Sequence, residues 1–271
     1  MDGIRARRLD TGPEGAMFED ELAFANELAD EAGRIALSIF GRAFEVKLKA
    51  DRSPVTEADL SIEKMIREAV HERFPDDGVL GEEGGSEGGG SRRWIVDPID
   101  GTKNFADGVQ LWSTLIALAV DDVPVVGVVG LPALGERYSA ARGAGAWLNG
   151  EEIRVSRADR VSRAFVVFAG MVDWLDGPDA TGVQDLVRDA RRNRGFGDAW
   201  GHMLVARGSA DVMLESELAT WDWAAVEVVV EEAGGRMSQL DGAPLAHGKS
   251  VLTTNGVLHD EILVRLLAAR A

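Results

Sequence analysis

Asp97 and Asp100 stand three positions apart across Pro98, after the apolar run Trp94-Ile95-Val96, and Gly101, Thr102 and Lys103 follow directly. Two carboxylates that close repel each other unless a proton or a cation lies between them. Their spacing lets both reach one hard cation or a pair of them. Gly101 permits a ligand to approach the backbone closely, and Thr102 sets a hydroxyl where a following turn offers free N–H groups to an anion. Pro98 cannot donate to a sheet ladder, so the strand is expected to stop where the acids begin. The same residues would also build an acidic Asx-type turn with no ligand.

Two further acidic placements bear on that choice. Gly81-Glu82-Glu83-Gly84 follows the apolar Val79-Leu80 and puts acids at a second strand end. Trp221-Asp222-Trp223-Ala224-Ala225 opens a helix, with Asp222 in the first turn, where negative charge suits the macrodipole. Singly, Glu82 and Glu83 read as solvated loop charges and Asp222 as a helix stabiliser. Together and in this order they resemble the inositol monophosphatase superfamily of Mg²⁺-dependent, Li⁺-sensitive small-molecule phosphatases. The resemblance covers nearly everything after residue 17. It rests on Ser53-Pro54-Val55-Thr56-Glu57-Ala58-Asp59, Gly81-Glu82-Glu83, the segment 97–105 and the helix 221–235. Within that superfamily, Gly108-Val109-Gln110-Leu111-Trp112 and Arg194-Gly195-Phe196-Gly197-Asp198 look most like bacterial histidinol-phosphatases.

The resemblance implies a ligand set and a division of roles. Glu82, Asp97 and the Ile99 carbonyl would hold one Mg²⁺, and Asp97, Asp100 and Asp222 another, with two or three ions in all and Mn²⁺ as a substitute. Oxygen-only ligation of this kind suits those ions rather than zinc. Glu82 and Thr102 would orient and deprotonate a water, and the Gly101 and Thr102 amides would receive the phosphate. Asp59 would lie near a further metal position, although with Thr56 it also forms the capping box of a helix. The substrate side falls to Arg194, Asp198, Glu215 and Asp222. Many inositol phosphatases carry alanine or a small hydroxyl residue where Asp198 falls, and a carboxylate suits the ammonium and imidazolium groups of histidinol phosphate better than a polyol. Asp198 equally reads as the cap of a helix beginning near Ala199. Arg194 either contacts phosphate or neutralises neighbouring acids, and Glu215 occupies the position that meets the leaving group. A homodimer acting on a small phosphorylated metabolite is the usual assembly among such proteins.

Composition narrows the field independently. The 271 residues carry a formal net charge of −17 and no cysteine. Nucleic acid and anionic membranes are poor partners for such a chain, and a phosphate ester needs positive charge brought in locally. The missing cysteines exclude disulfides, zinc-thiolate sites and thiol nucleophiles, and agree with a cytoplasmic location. His71, His202, His247 and His259 show no paired metal spacing. Residues 1–16 lack the apolar stretch of a signal peptide and read as a disordered leader.

The elements that must position the acids follow from periodicity. Apolar residues at three and four spacing predict a helix over 18–39 and another from Thr56 to before Pro75. Glycines crowd 84–90, which predicts a mobile linker. Runs at 113–120, 123–129 and 136–140 predict an antiparallel meander. After Asn149-Gly150 the pattern becomes an alternation of strands (165–169, 211–215, 236–240, 250–254) and helices (184–193, 199–206, 221–233). The prediction is a two-lobed α/β chain, with an α+β lobe over 17–150 that carries most metal ligands and an α/β lobe over 151–271 that carries Asp222 and the substrate-selecting residues, for which the resemblance implies a layered αβαβα sandwich. His202, Trp112, Trp221 and Trp223 read as core residues rather than catalytic or stacking groups.

Overall fold

The computed structural model describes residues 18–42, 47–48 and 54–270. The expected leader and Ser53 lie outside these residues. In chain order the elements are α1 (Glu19–Ile39), β1 (Lys47–Leu48), β2 (Pro54–Val55), α2 (Glu57–Arg73), β3 (Gly78–Gly81), β4 (Gly85–Glu87), β5 (Arg92–Asp100), α3 (Thr102–Ala106), β6 (Ser113–Val120), β7 (Val123–Leu131), β8 (Glu136–Ala141), β9 (Ala146–Leu148) and β10 (Glu151–Ile153). Then come β11 (Phe165–Phe168), α4 (Ala180–Asp189), β12 (Arg192–Gly195), α5 (Asp198–Ala206), β13 (Val212–Leu218), α6 (Thr220–Glu232), β14 (Arg236–Ser238), β15 (Lys249–Thr254) and α7 (His259–Ala269).

Period-two side-chain alternation explains how these elements stack. In the larger sheet, ordered β10-β9-β8-β7-β6-β5-β3-β4, Trp94, Val96, Ile116, Leu118 and Val128 cluster with the apolar stripes of α1 and α2. Their neighbours Ile95, Leu115, Ala117 and Val129 point the other way and cluster with α5 and α6. The smaller sheet, β12-β11-β13-β15-β14, repeats the device. Phe165, Val167 and Met213 meet α5, while Val166, Val212, Leu214 and Leu252 meet α4 and α7. The order of layers is therefore α1/α2, large sheet, α5/α6, small sheet, α4/α7, the αβαβα sandwich. α6 is buried from Trp223 to Val230 because sheet lies on both sides of it, and every side chain in that run but Glu227 is apolar.

Close approach of α6 to the large sheet depends on Gly127 of β7. A Cβ there would collide with the Ala225 carbonyl and stand 3.0 Å from the Val228 Cβ. At the far side of that sheet, α2 opens with the expected capping box: Thr56 Oγ accepts the Ala58 amide, and Asp59 Oδ2 accepts the Thr56 amide at 2.8 Å.

Four expectations change. The strand leading to the acids does not stop at Asp97: β5 runs on through Pro98 to Asp100, with its register against β6 shifting between the two acids. A bulge accommodates a residue that cannot donate to the ladder, and it also turns the acids out of strict alternation. The glycine-rich stretch is partly a strand, since β4 pairs antiparallel with β3. Asn149-Gly150, read as a lobe boundary, is the left-handed two-residue turn of the β9–β10 hairpin, so the large sheet continues to Ile153. The helix placed at 184–193 begins and ends earlier, as α4, and releases 192–195 to form β12.

Candidate active site

Each acid singled out in the sequence comes from a different part of this framework. Asp97 and Asp100 sit on the bulged end of β5, and Glu82 follows β3, which lies parallel beside it. Asp222 is the third residue of α6, where its Oδ2 accepts the Ala219 amide at 2.7 Å and closes the first turn. Asp198 opens α5, and Glu215 lies on β13. Asp97, Asp100 and Glu215 are buried, whereas Glu82, Asp198 and Asp222 stay partly accessible.

The electrostatics show that these acids share one recess. Burial pushes the Asp97 carboxyl well above its ordinary range, and Glu82, Asp100, Asp222 and Asp59 push it further. Asp100 is raised by burial and then by Asp198 and Asp222, against the amide of Ala199 and the hydroxyl of Ser113, each donating to its Oδ2 at 2.9 Å. Asp222 is pushed up to about 7, chiefly by burial, with Glu82 and Asp198 adding to it. Asp97 and Asp222 thus act on each other as like charges, a pairing that a shared proton or a cation relieves. Glu215 is raised by burial, then by Asp198, Asp100 and Asp222.

That arrangement fits a hard divalent cation. The donors are all oxygens, Asp97 Oδ1 is buried without a hydrogen-bond partner, and the like charges would gain what they lack from an ion between them. Among the described residues no group of three or more histidine, cysteine or acidic side chains already converges on one point as a finished metal cage would. The Asp59 Oδ1 atom is likewise buried and unpartnered, while Oδ2 serves the capping box. The capping box therefore commits Oδ2 and leaves Oδ1 uncommitted.

Around the acids, Gly101 adopts the left-handed conformation (φ 81°) that opens α3. A Cβ here would lie 3.1 Å from the Leu111 carbonyl and 3.3 Å from Asp198 Oδ2. The first amides of α3 have no helical carbonyl to serve. Thr102 Oγ donates to the Ile99 carbonyl at 2.9 Å, which commits its proton and leaves its oxygen to accept.

Asp198 does not cap α5. The N-cap is Gly197, which makes no side-chain cap bond, and the Ala199 amide donates to the carboxylate of Asp100 instead. Asp198 instead holds a left-handed backbone (φ 56°), and its Oδ2 accepts from Asn104 Nδ2 at 2.9 Å. Arg194 is exposed on the edge strand β12, with its guanidinium on the Asn193 carbonyl, so nothing in the described structure joins it to the acids. His202 is buried against Thr253, and Trp112 and Trp223 are core, as expected. Trp221 packs edge-on against His247. Sequence reading passed over Asn104, which ties Leu111 and Asp198 to α3, and Glu63, which binds the backbone after Glu82. Glu63 had a legible signal in its spacing of four from Asp59 on a buried helix face.

A model of the inositol monophosphatase family matches residues 18–270. The chain belongs to that family. This family member is 44% identical to a histidinol-phosphatase of Chlorobaculum parvum, over 87% of the chain and 94% of that protein. It is 43% identical to a histidinol-phosphatase of Mycobacterium tuberculosis, over 93% of the chain and 100% of the relative. Among solved structures, an IMPase of Thermotoga maritima superposes with a TM-score of 0.84 at 32% identity, covering 92% of the chain and 98% of that structure. The chain is a phosphomonoesterase, and enzymes of its family are generally metal-dependent. Its substrate is a small phosphorylated compound, and no helix among the described residues is long and apolar enough to cross a membrane.

Proposed function

We propose that this phosphatase hydrolyses L-histidinol phosphate to L-histidinol and phosphate, with Mg²⁺ held by Glu82, Asp97, the Ile99 carbonyl, Asp100 and Asp222. The observation that carries the substrate is the placement of Asp198 and Glu215. Both carboxylates face the recess of acids, one fixed by Asn104 and the other with a buried Oε2 that lacks a partner. An ammonium or imidazolium would relieve both, whereas a neutral polyol would leave Glu215 short of positive charge. Identity of 43–44% to the two histidinol-phosphatases supports the same substrate.

Bound Mg²⁺ would supply the positive charge that the phosphoryl oxygens and the departing alkoxide require. The chain's own groups do the rest. Glu82 and the accepting oxygen of Thr102 orient the attacking water, and Glu82 takes its proton. The Gly101 and Thr102 amides receive the phosphate at the start of α3. Asp198 and Glu215 hold the cationic end of the substrate, which fixes the ester in line with the water. The enzyme is proposed to work as a cytoplasmic homodimer of chains divided near the β9–β10 hairpin into two lobes.

The test is phosphate release from histidinol phosphate and from inositol 1-phosphate, side by side, with Mg²⁺ and after chelation. The expected result is a Mg²⁺-dependent preference for histidinol phosphate of at least about 100-fold in kcat/KM, as loss of a charge partner implies. Equal or inverted rates would remove the assignment of substrate while leaving the phosphatase chemistry standing.

A further inference from the structure

We propose that Glu63 and Arg67 of α2 form a clamp that presets Glu82, acting as positioning residues outside the ligand set. Three consecutive amides define the course of the chain at Glu82. The Glu82 amide donates to the Val96 carbonyl at 3.2 Å, immediately before Asp97. The Glu83 amide donates to Glu63 Oε2 and the Gly84 amide to Glu63 Oε1, both at 2.7 Å. Glu82 is thereby pinned on one side to the strand that carries Asp97 and on the other to a helix.

Glu63 is held from behind in turn. Arg67 Nε donates to Glu63 Oε1 at 2.8 Å, and a second guanidinium nitrogen donates to the Gly85 carbonyl at 2.6 Å. Its third nitrogen reaches Glu87 at 3.3 Å. The guanidinium fork thus grips both the clamp's carboxylate and the turn that this carboxylate holds. Glu63 is only 3% exposed, so its charge would be costly without these partners. Satisfying two loop amides would not by itself need a buried ion pair, since water can do it. The ion pair adds a fixed direction: both oxygens are committed, and the carboxylate cannot rotate without losing charge-assisted bonds.

Two glycines register how closely the parts fit. A Cβ at Gly81 would collide with the Glu63 carboxylate, and one at Gly84 would stand 2.7 Å from Glu63 Oε1 and 2.8 Å from Arg67. Asp59, Glu63 and Arg67 follow at intervals of four on one face of α2. The helix that brings Asp59 beside Glu82 and Asp97 therefore also sets the angle at which Glu82 enters the recess.

The inference rests on the reading of Glu82 as ligand and base, and the experiment separates the two. Full-length wild type, Glu63→Gln, Arg67→Lys and Glu82→Gln, stripped of metal, are titrated with MgCl₂ by calorimetry. Hydrogen exchange is followed in peptides spanning 80–87, and kcat and KM are measured at saturating Mg²⁺. Glu63→Gln cannot accept both amides and the guanidinium. Its Mg²⁺ affinity should fall about 10- to 100-fold, as for groups that orient a ligand. Exchange should quicken in 80–87 and not in β6 or β7, with kcat lowered and KM for the ester changed by less than about threefold. Arg67→Lys keeps the charge but not the fork, and should show a smaller effect of the same kind, which keeps the test decisive if Glu63→Gln does not fold. Faster exchange with wild-type Mg²⁺ affinity and kcat would reduce the clamp to a structural contact and overturn the proposal. Wild-type Mg²⁺ binding by Glu82→Gln would instead overturn the ligand reading on which it stands.

Discussion

The Asp100 carboxylate, at the end of β5 in the large sheet, accepts the backbone amide of Ala199 at 2.9 Å and so receives the N-terminus of α5, a helix that packs on the small sheet. One acid of the recess thus also anchors a helix from the other half of the chain. The adjoining residue, Asp198, gains its position from that junction, with Asn104 of α3 donating to it across the same gap.

Asp100→Asn should separate the two duties. An asparagine oxygen can still accept the Ala199 amide, so the helix end loses at most about 1 kcal/mol. Removing the charge takes away a proposed ligand and should lower kcat by more than about 100-fold. Denaturant unfolding and turnover measured on one preparation check this. A variant with wild-type kcat would remove Asp100 from the ligand set.

Asp198→Asn is the sharper probe of substrate choice than Asp198→Ala. Position 198 has a left-handed backbone, which asparagine tolerates and alanine resists by roughly 1–2 kcal/mol. The amide keeps an acceptor for Asn104 and removes only the charge. The ratio of kcat/KM for histidinol phosphate to that for inositol 1-phosphate should fall by about 10- to 100-fold, the worth of one charge-assisted bond. An unchanged ratio would confine Asp198 to holding the turn.

Gly127→Ala should damage fold and activity together. The added methyl group meets the Ala225 carbonyl, and the only relief is to move α6 off the sheet. Overpacking of this kind costs about 1–3 kcal/mol. Because Asp222 rides on the first turn of α6, turnover should drop with stability even though residue 127 is remote from the acids in sequence. The midpoint of urea unfolding and kcat for the variant test the link; lost stability with intact kcat would break it.

Glu227 predicts a pH dependence away from the recess. It is buried on α6, with Oε2 unpartnered, and is pushed up to about 7 by burial and by Glu231, against the pull of Arg142. Its folded value exceeds its unfolded one, near 4.5, so the contribution is fully present below about 4.5 and is lost as pH rises through about 7. The change amounts to roughly 3 kcal/mol across that window. Glu227→Gln should therefore stabilise the protein relative to wild type at pH 8 and much less at pH 4.5. A difference that does not vary with pH would place the Glu227 charge in solvent contact.

The sequence by itself determined the helices and strands whose periodicity is long and undisturbed: α1, α2, the β6–β8 meander, α5 and α6. It also singled out Glu82, Asp97, Asp100 and Asp222, which follow or open different elements and which the fold brings close enough to act on one another. Local pattern misjudged the short stretches. Pro98 reads as a strand end, yet the bulge against β6 carries β5 past it, and 192–193 read as the end of a helix, although pairing with β11 makes 192–195 the strand β12. Only the tertiary structure decided what depends on residues remote in the chain. Asp198 read equally as a helix cap and as a substrate contact until Asp100 was found at that helix end, and Glu63 drew no reading at all until the backbone after Glu82 was found on it. Periodicity reports the face a residue belongs to. Which hydrogen bond it makes depends on the neighbour that packing brings, and a buried carboxylate binds whatever donor then arrives.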